Sequence, residues 1–119
     1  MHEHIAIFFK HQIQIKMFHF QTKKYGAHKA SDKYLEKFLD NFDRLMEVCQ
    51  GINDKLSLTE LEIEKMVLYN EQNINEKVNN FVTILYEIKE KYSKHSDLNN
   101  ILDDMIADAH QFNYLLTFQ

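Results

Sequence analysis

Apolar residues recur at helical intervals along most of this sequence. The clearest stripe lies between residues 28 and 47 and comprises Tyr34, Leu35, Phe38, Leu39, Phe42, Leu45 and Met46. Its members are three or four residues apart, which places them on one side of an α-helix. The stripe therefore predicts a long amphipathic helix over about residues 27–50, with Gly51 as its C-terminal cap.

The same periodicity predicts three further main helices, over about residues 3–22, 74–92 and 98–116. The first is apolar over a broad sector, which suits contacts with both a core and a second subunit. Only the short link KKYG separates it from the second, so these two helices are expected to be antiparallel neighbours.

The segment between the second and third main helices is the least regular part of the pattern. Ser57 and Glu60 have the spacing of a capping box, so a short crossover helix is expected up to about Leu68. The Asn-rich run at 70–75 predicts a break before the third helix. One continuous helix over 57–92 is the alternative, but at about 54 Å it would extend past its neighbours. A crossover that returns along the bundle gives the compact order up, down, down, up.

Composition supports a single all-α domain over residues 1–119, because the chain is 45% hydrophobic and contains no Pro and two Gly. No apolar run reaches 18 residues and the N-terminus lacks the features of a signal peptide, so no membrane span is expected. Cys49 has no second cysteine with which to form an internal disulfide. A cytoplasmic location is the simplest expectation.

The net charge of −4 is unevenly distributed. Residues 1–37 contain seven lysines and three acidic residues, whereas the rest of the chain is acidic. An acidic protein binds nucleic acid poorly, so DNA binding is not expected. The lysines of the first third leave nucleic-acid binding as a minor alternative, which would show affinity that falls steeply with salt.

Four side chains around the apolar stripe are candidate metal ligands: His28, Asp32, Asp43 and Glu47. Their successive offsets of four, eleven and four residues return to nearly the same face of a helix. However, Asp32 and Asp43 lie about 16 Å apart along the axis, whereas a metal ion holds its ligands within about 2–2.5 Å. One helix therefore carries two half-sites. Two copies packed antiparallel across a two-fold axis near Phe38 would join each half-site to the other half-site of the second copy.

With the upstream His19, this pattern resembles the Dps-like miniferritins of the ferritin superfamily. Their characteristic stretch is a histidine that ends the first helix, a short loop, and then H-x-x-x-D and D-x-x-x-E on the second helix. The resemblance is strongest over residues 15–50 and is also present, more weakly, in the last helix. Phe20 stands where the family usually has Trp, and the loop between His19 and His28 is shorter than usual.

The resemblance implies a ferritin-like four-helix bundle with a short crossover helix between the second and third main helices. It also implies a ferroxidase site at a two-fold interface of the first two helices, in a homo-oligomer that is either a dimer or a closed cage. The catalytic residues would be His28, Asp32, Asp43 and Glu47, and His19 would complete the metal ligands. Peroxide or O2 would oxidise Fe(II), and the ferric product would be stored, which protects against oxidative stress. Zn or Mn would also fit these ligands.

A non-enzymatic reading stays open, in which a ferritin-like helical dimer acts as a structural or protein-interaction module. Each candidate ligand, taken singly, is a residue type that commonly lies solvated on a helix surface. The sequence contains no Gly-rich phosphate loop, CxxC or HExxH, so other common enzyme classes have little support. Of the remaining histidines, His11 is expected to border the subunit interface, and none is expected to be a primary ligand.

Overall fold

The computed structural model describes residues 1–52 and 55–118, and four α-helices dominate them. The helices are α1 (Ile5–Gln21), α2 (Tyr25–Ile52), α3 (Ile74–Lys91) and α4 (Ser96–Leu115), preceded by a 3-10 turn at His2–His4. The described ranges contain no strand. The prediction of an all-α chain with four main helices is thus confirmed. The prediction that Gly51 caps this helix is wrong, because Gly51 lies inside α2 and does not have the positive φ of a helix cap.

The helices run up, down, down and up. Short links join α1 to α2 and α3 to α4, so each pair is antiparallel. The N-terminal ammonium of Met1 donates a hydrogen bond to the hydroxyl of Tyr92 (2.7 Å), which places the end of α3 beside the start of α1. Consequently α3 runs parallel to α2, in the order that the sequence predicted. No helix in the described part of the chain is long and apolar enough to cross a membrane.

The long link between α2 and α3 differs from the prediction, because residues 55–70 contain no helix. The link instead returns along α1 in an irregular form. The Gln14 side chain donates to the carbonyl oxygen of Val67 (3.0 Å), and the Thr22 hydroxyl donates to the carboxylate of Glu71 (2.7 Å). The apolar residues that favoured a crossover helix remain largely exposed; Val67, for example, is 66% exposed. A short helix without a buried face is marginal in water, so the capping-box pattern does not suffice here.

The predicted break before α3 is confirmed and has a clear local cause. The side-chain oxygen of Asn73 accepts a hydrogen bond from the backbone N–H of Asn70 (2.8 Å), and the side-chain oxygen of Asn70 accepts one from the backbone N–H of Asn73 (2.9 Å). Asn side chains commonly stabilise turns in this way. The turn ends the link and directs the chain into α3.

An aromatic cluster forms the centre of the core. Phe8 is fully buried, stacks on Phe42 with 5.1 Å between ring centroids, and meets Phe81 edge-on at 5.8 Å. Fully buried aliphatic side chains such as Leu45 and Leu102 surround this cluster. Because α1 and α2 are fixed by these contacts, the opposite sides of both helices face outward. That outward side carries most of the candidate ligands.

His11 lies in this core, which corrects the expectation that it borders the subunit interface. It is 1% exposed, and its ring stacks on Phe81 with 3.8 Å between centroids. Its Nε2 lies 2.8 Å from the hydroxyl of Tyr34 and its Nδ1 lies 3.0 Å from that of Tyr69. A neutral imidazole has one N–H and one lone pair, so one tyrosine donates to it and the other accepts from it. Through Tyr69, His11 fastens the link to the bundle.

The buried His11 makes stability depend on pH. Burial lowers the pKa of His11 from 6.5 to about 3, so the unfolded chain takes up this proton first as pH falls. The free energy of unfolding should therefore decrease by about 1.4 kcal/mol per pH unit below 6.5. Urea unfolding at pH 7 and pH 5 measures the change. In His11→Phe the decrease should be smaller by about 2 kcal/mol, and an equal decrease in both proteins would contradict the assignment.

Candidate metal site on the α1–α2 face

Two candidate ligands meet where α1 ends and α2 begins. The rings of His19 and His28 stack with 3.9 Å between centroids and 19° between planes. Nδ1 of His19 donates to the backbone carbonyl oxygen of His28 (2.8 Å), and Nδ1 of His28 donates to that of His19 (2.9 Å). The short link between the helices therefore brings the two histidines together, in agreement with the antiparallel arrangement predicted for these helices.

These two hydrogen bonds fix the tautomer of both rings. A carbonyl oxygen can only accept, so each Nδ1 must carry the hydrogen. In the neutral form each Nε2 then keeps its lone pair, and neither Nε2 forms a hydrogen bond within the described residues. Metal-binding histidines are commonly oriented in this way, by a backbone carbonyl behind the nitrogen that does not bind the ion. In the neutral form, His19 and His28 could each bind a metal ion through Nε2.

The stacking prevents a single ion from binding both histidines. A nitrogen lone pair lies in the plane of its ring, and a bound ion sits about 2.0–2.1 Å from the nitrogen in that plane. An ion in the plane of one ring would lie well outside the plane of the other, because the rings are nearly parallel. In this conformation one ion could bind only one of the two imidazoles. His28 is exposed whereas His19 is only 8% exposed, so His28 is the more accessible ligand.

Ser31 supports the histidine pair, and sequence reasoning missed it. Its side chain is fully buried, its hydroxyl lies 3.1 Å from Nδ1 of His19, and it donates to the carbonyl oxygen of His28 (3.0 Å). A serine inside a helix often bonds to a backbone carbonyl one turn earlier. The available signal was its position three residues after His28 on the side of α2 that faces the core.

The carboxylate candidates lie separately along the exposed side of α2. Asp32, Asp43 and Glu47 are all exposed. Asp43 and Glu47 lie in the second half of the helix, far from the histidine pair. No group of three His, Cys, Asp or Glu side chains in residues 1–52 and 55–118 is arranged to hold a metal ion. A single subunit therefore presents separate half-sites rather than a complete site.

An open apolar face separates the half-sites. Phe9, Ile13 and Leu39 are 36%, 39% and 38% exposed, respectively. Two adjoining grooves of about 350 and 340 Å³ follow this face, and Gln12 and Leu39 line both of them. Asp43 lies on the wall of the larger groove, so this half-site adjoins the apolar surface directly. Contiguous exposed apolar surface on a small protein commonly marks a protein-binding face. We call this surface the α1–α2 face.

Comparison with known proteins places the chain in a family but not in a functional class. A model of a family of unknown function, DUF5856, matches residues 19–116. That range contains all five candidate ligands and the whole of α2, α3 and α4. No curated protein and no solved structure matches the chain. Since the family match covers well over half of the sequence, the chain belongs to the family of unknown function DUF5856.

Proposed function

We propose that this protein binds Fe(II) as its substrate and oxidises it, in the manner of a miniferritin, at sites formed between two copies of the chain. The observation that carries the proposal is the arrangement of α2. A pair of histidines whose Nδ1 atoms donate to backbone carbonyls lies at one end, carboxylates lie at the other, and an open apolar face separates them. The ferric product is sequestered by the assembly.

Two-fold symmetry would complete both half-sites at once. If two α1–α2 faces pack with their α2 helices antiparallel, the level of Leu39 lies near the axis. His28 and Asp32 of each copy then face Asp43 and Glu47 of the other. Two-fold interfaces are the commonest kind in homo-oligomers, and one such contact would bury the exposed apolar side chains of both copies. His19 orients His28 through its backbone carbonyl, and in this conformation its own imidazole cannot bind the same ion.

The chemistry follows from the donor atoms. Carboxylate oxygens and imidazole nitrogens suit Fe(II), and they also accept Mn and Zn. Negative carboxylates stabilise Fe(III) more than Fe(II), so they make the loss of an electron easier. Two Fe(II) ions give one electron each to hydrogen peroxide, which takes up two protons and leaves as two waters. With O2 as oxidant, the same two electrons and two protons produce hydrogen peroxide.

One observation also favours a second function. The α1–α2 face is apolar whether or not the ligands bind iron, so it supports a non-enzymatic helical dimer that acts as a structural or interaction module. In that case the protein would assemble through the same face but would neither bind nor oxidise Fe(II).

Complementation between two defective chains tests the proposed site. One chain carries His28→Ala with Asp32→Ala, and the other carries Asp43→Ala with Glu47→Ala. Neither homodimer contains an intact site. A mixed dimer, purified with two different tags, contains one intact site and should oxidise Fe(II) at about half the parental rate. The controls are the two homodimers, each made from two differently tagged copies of the same doubly substituted chain. A mixed dimer as inactive as its parents would contradict an intersubunit site.

A further inference from the structure

A cavity of about 300 Å³ lies between α1, α3 and the link that joins α2 to α3. It lies on a different side of α1 from the α1–α2 face: Lys10 and Gln14 line the cavity, whereas Phe9 and Ile13 belong to that face. Its volume is at the lower end of the range for small-molecule sites. The candidate metal site and this cavity share no residue.

Three lysines from three different elements surround the cavity. Lys10 comes from α1, Lys65 from the link and Lys77 from α3, and no aspartate or glutamate of the described residues lines the cavity. None of the three forms an ion pair or a side-chain hydrogen bond with another residue of the described chain. Most other lysines of the described chain, such as Lys55 and Lys94, likewise have no such partner.

The lack of acidic side chains among the described lining residues is informative because the chain as a whole has more acidic than basic residues. Lys37, Lys89 and Lys91, for example, each form an ion pair with an acidic side chain. Ammonium groups gathered around one cavity repel one another, and an anion bound between them would offset that repulsion. The cavity therefore favours an anionic ligand.

The other walls define the rest of the ligand. Phe81, Ile7 and Ile84 supply apolar surface, and Asn80 adds an amide at the exposed rim. Gln14 already donates its side-chain N–H to the carbonyl oxygen of Val67 (3.0 Å), so it holds the link over the cavity. A ligand that fills this space combines a charged group with a small apolar body.

We propose that this cavity binds a small organic phosphate, with its phosphate group between Lys10, Lys65 and Lys77 and its organic part against Ile7 and Ile84. A phosphate monoester carries a charge of about −1.5 to −2 at neutral pH and three acceptor oxygens, which matches three ammonium groups better than a single carboxylate does. The proposal is independent of iron oxidation, since none of these residues belongs to the candidate metal site.

Three probes at equal ionic strength test the ligand class: phenyl phosphate, inorganic phosphate and phenol. Calorimetric titration should show binding of phenyl phosphate, weaker binding of inorganic phosphate and none of phenol. A bound ligand also raises the unfolding temperature, so thermal unfolding provides a second readout. Binding of phenol as tight as that of phenyl phosphate, or no binding of either anion at millimolar concentration, would overturn the proposal. Equal affinity for the two anions would show that the cavity does not bind an organic group.

Substitutions of exposed lysines locate the site. Lys65→Met should weaken the binding of phenyl phosphate at least about tenfold, because it removes one of the three cationic groups around the phosphate. Lys65 is exposed and forms no ion pair with a described residue, so the substitution should leave the fold unchanged. Lys65→Arg should retain most of the affinity. Lys55→Met and Lys94→Met are matched controls on exposed lysines outside the cavity and should bind like the parent. If Lys65→Met binds phenyl phosphate as tightly as the parent, the ligand does not bind in this cavity. Iron oxidation should be unchanged in all four variants.

Discussion

Asp43→Ala should lower the rate of Fe(II) oxidation by at least about 100-fold, equivalent to about 2.7 kcal/mol of lost transition-state stabilisation. The carboxylate is the one candidate ligand that lines a groove of the α1–α2 face, so it contributes both negative charge and a donor atom at the proposed junction of two copies. Stopped-flow absorbance after addition of Fe(II) and hydrogen peroxide measures the rate. Anaerobic Fe(II) titration of the same variant separates lost binding from slowed oxidation.

The fold should not change in this variant. Asp43 is exposed and forms no ion pair or side-chain hydrogen bond with another described residue, and such surface substitutions usually alter stability by less than about 0.5 kcal/mol. Asp40→Ala is the matched control, since Asp40 is also exposed on α2 but is not a candidate ligand. If Asp43→Ala oxidises Fe(II) as fast as the parent, the ligand assignment is wrong.

The second large effect is expected from Leu39→Glu, which should convert the assembled protein into monomers. Leu39 is 38% exposed in the single chain and lies between the two grooves of the α1–α2 face. A two-fold interface would bury the new carboxylate twice, close to its symmetry mate and without a partner. We expect the dimer dissociation constant to rise at least about 100-fold, as measured by sedimentation at several protein concentrations. Iron oxidation should be lost together with the dimer.

Tyr86→Glu is the control for this substitution. Tyr86 is a large exposed side chain (52%) on α3, away from the α1–α2 face. Tyr86→Glu should leave both the assembly and the rate of Fe(II) oxidation unchanged. A dimer that survives Leu39→Glu but dissociates in Tyr86→Glu would show that the interface lies elsewhere on the bundle.

The helices were predictable because their signals are local. The stripe around Phe38 and Leu45 repeats over more than three turns, and both residues are buried in the structure. The contact between His19 and His28 was equally predictable, since a short link between antiparallel helices leaves little freedom for the residues at its ends. In each case the periodicity or the chain connectivity alone determined the arrangement.

The features that were missed depend on contacts between distant parts of the sequence. His11 reads as one more polar residue of an amphipathic helix, and its burial depends on the hydroxyls of Tyr34 and Tyr69, which lie 23 and 58 residues away. The link forms no crossover helix because its apolar residues gain no core to pack against. The lysine-lined cavity likewise arises only when α1, α3 and the link come together.

Native mass spectrometry, with and without Fe(II) added under anaerobic conditions, tests the central claim most directly. The proposed two-fold site requires an even-numbered assembly, a dimer or a larger closed oligomer built from dimers, that takes up iron at two equivalent sites per dimer. A dimer that takes up no iron would leave only the interaction module. A monomer at all concentrations would contradict the account, because no single copy of α2 can bring His28 and Asp32 to Asp43 and Glu47.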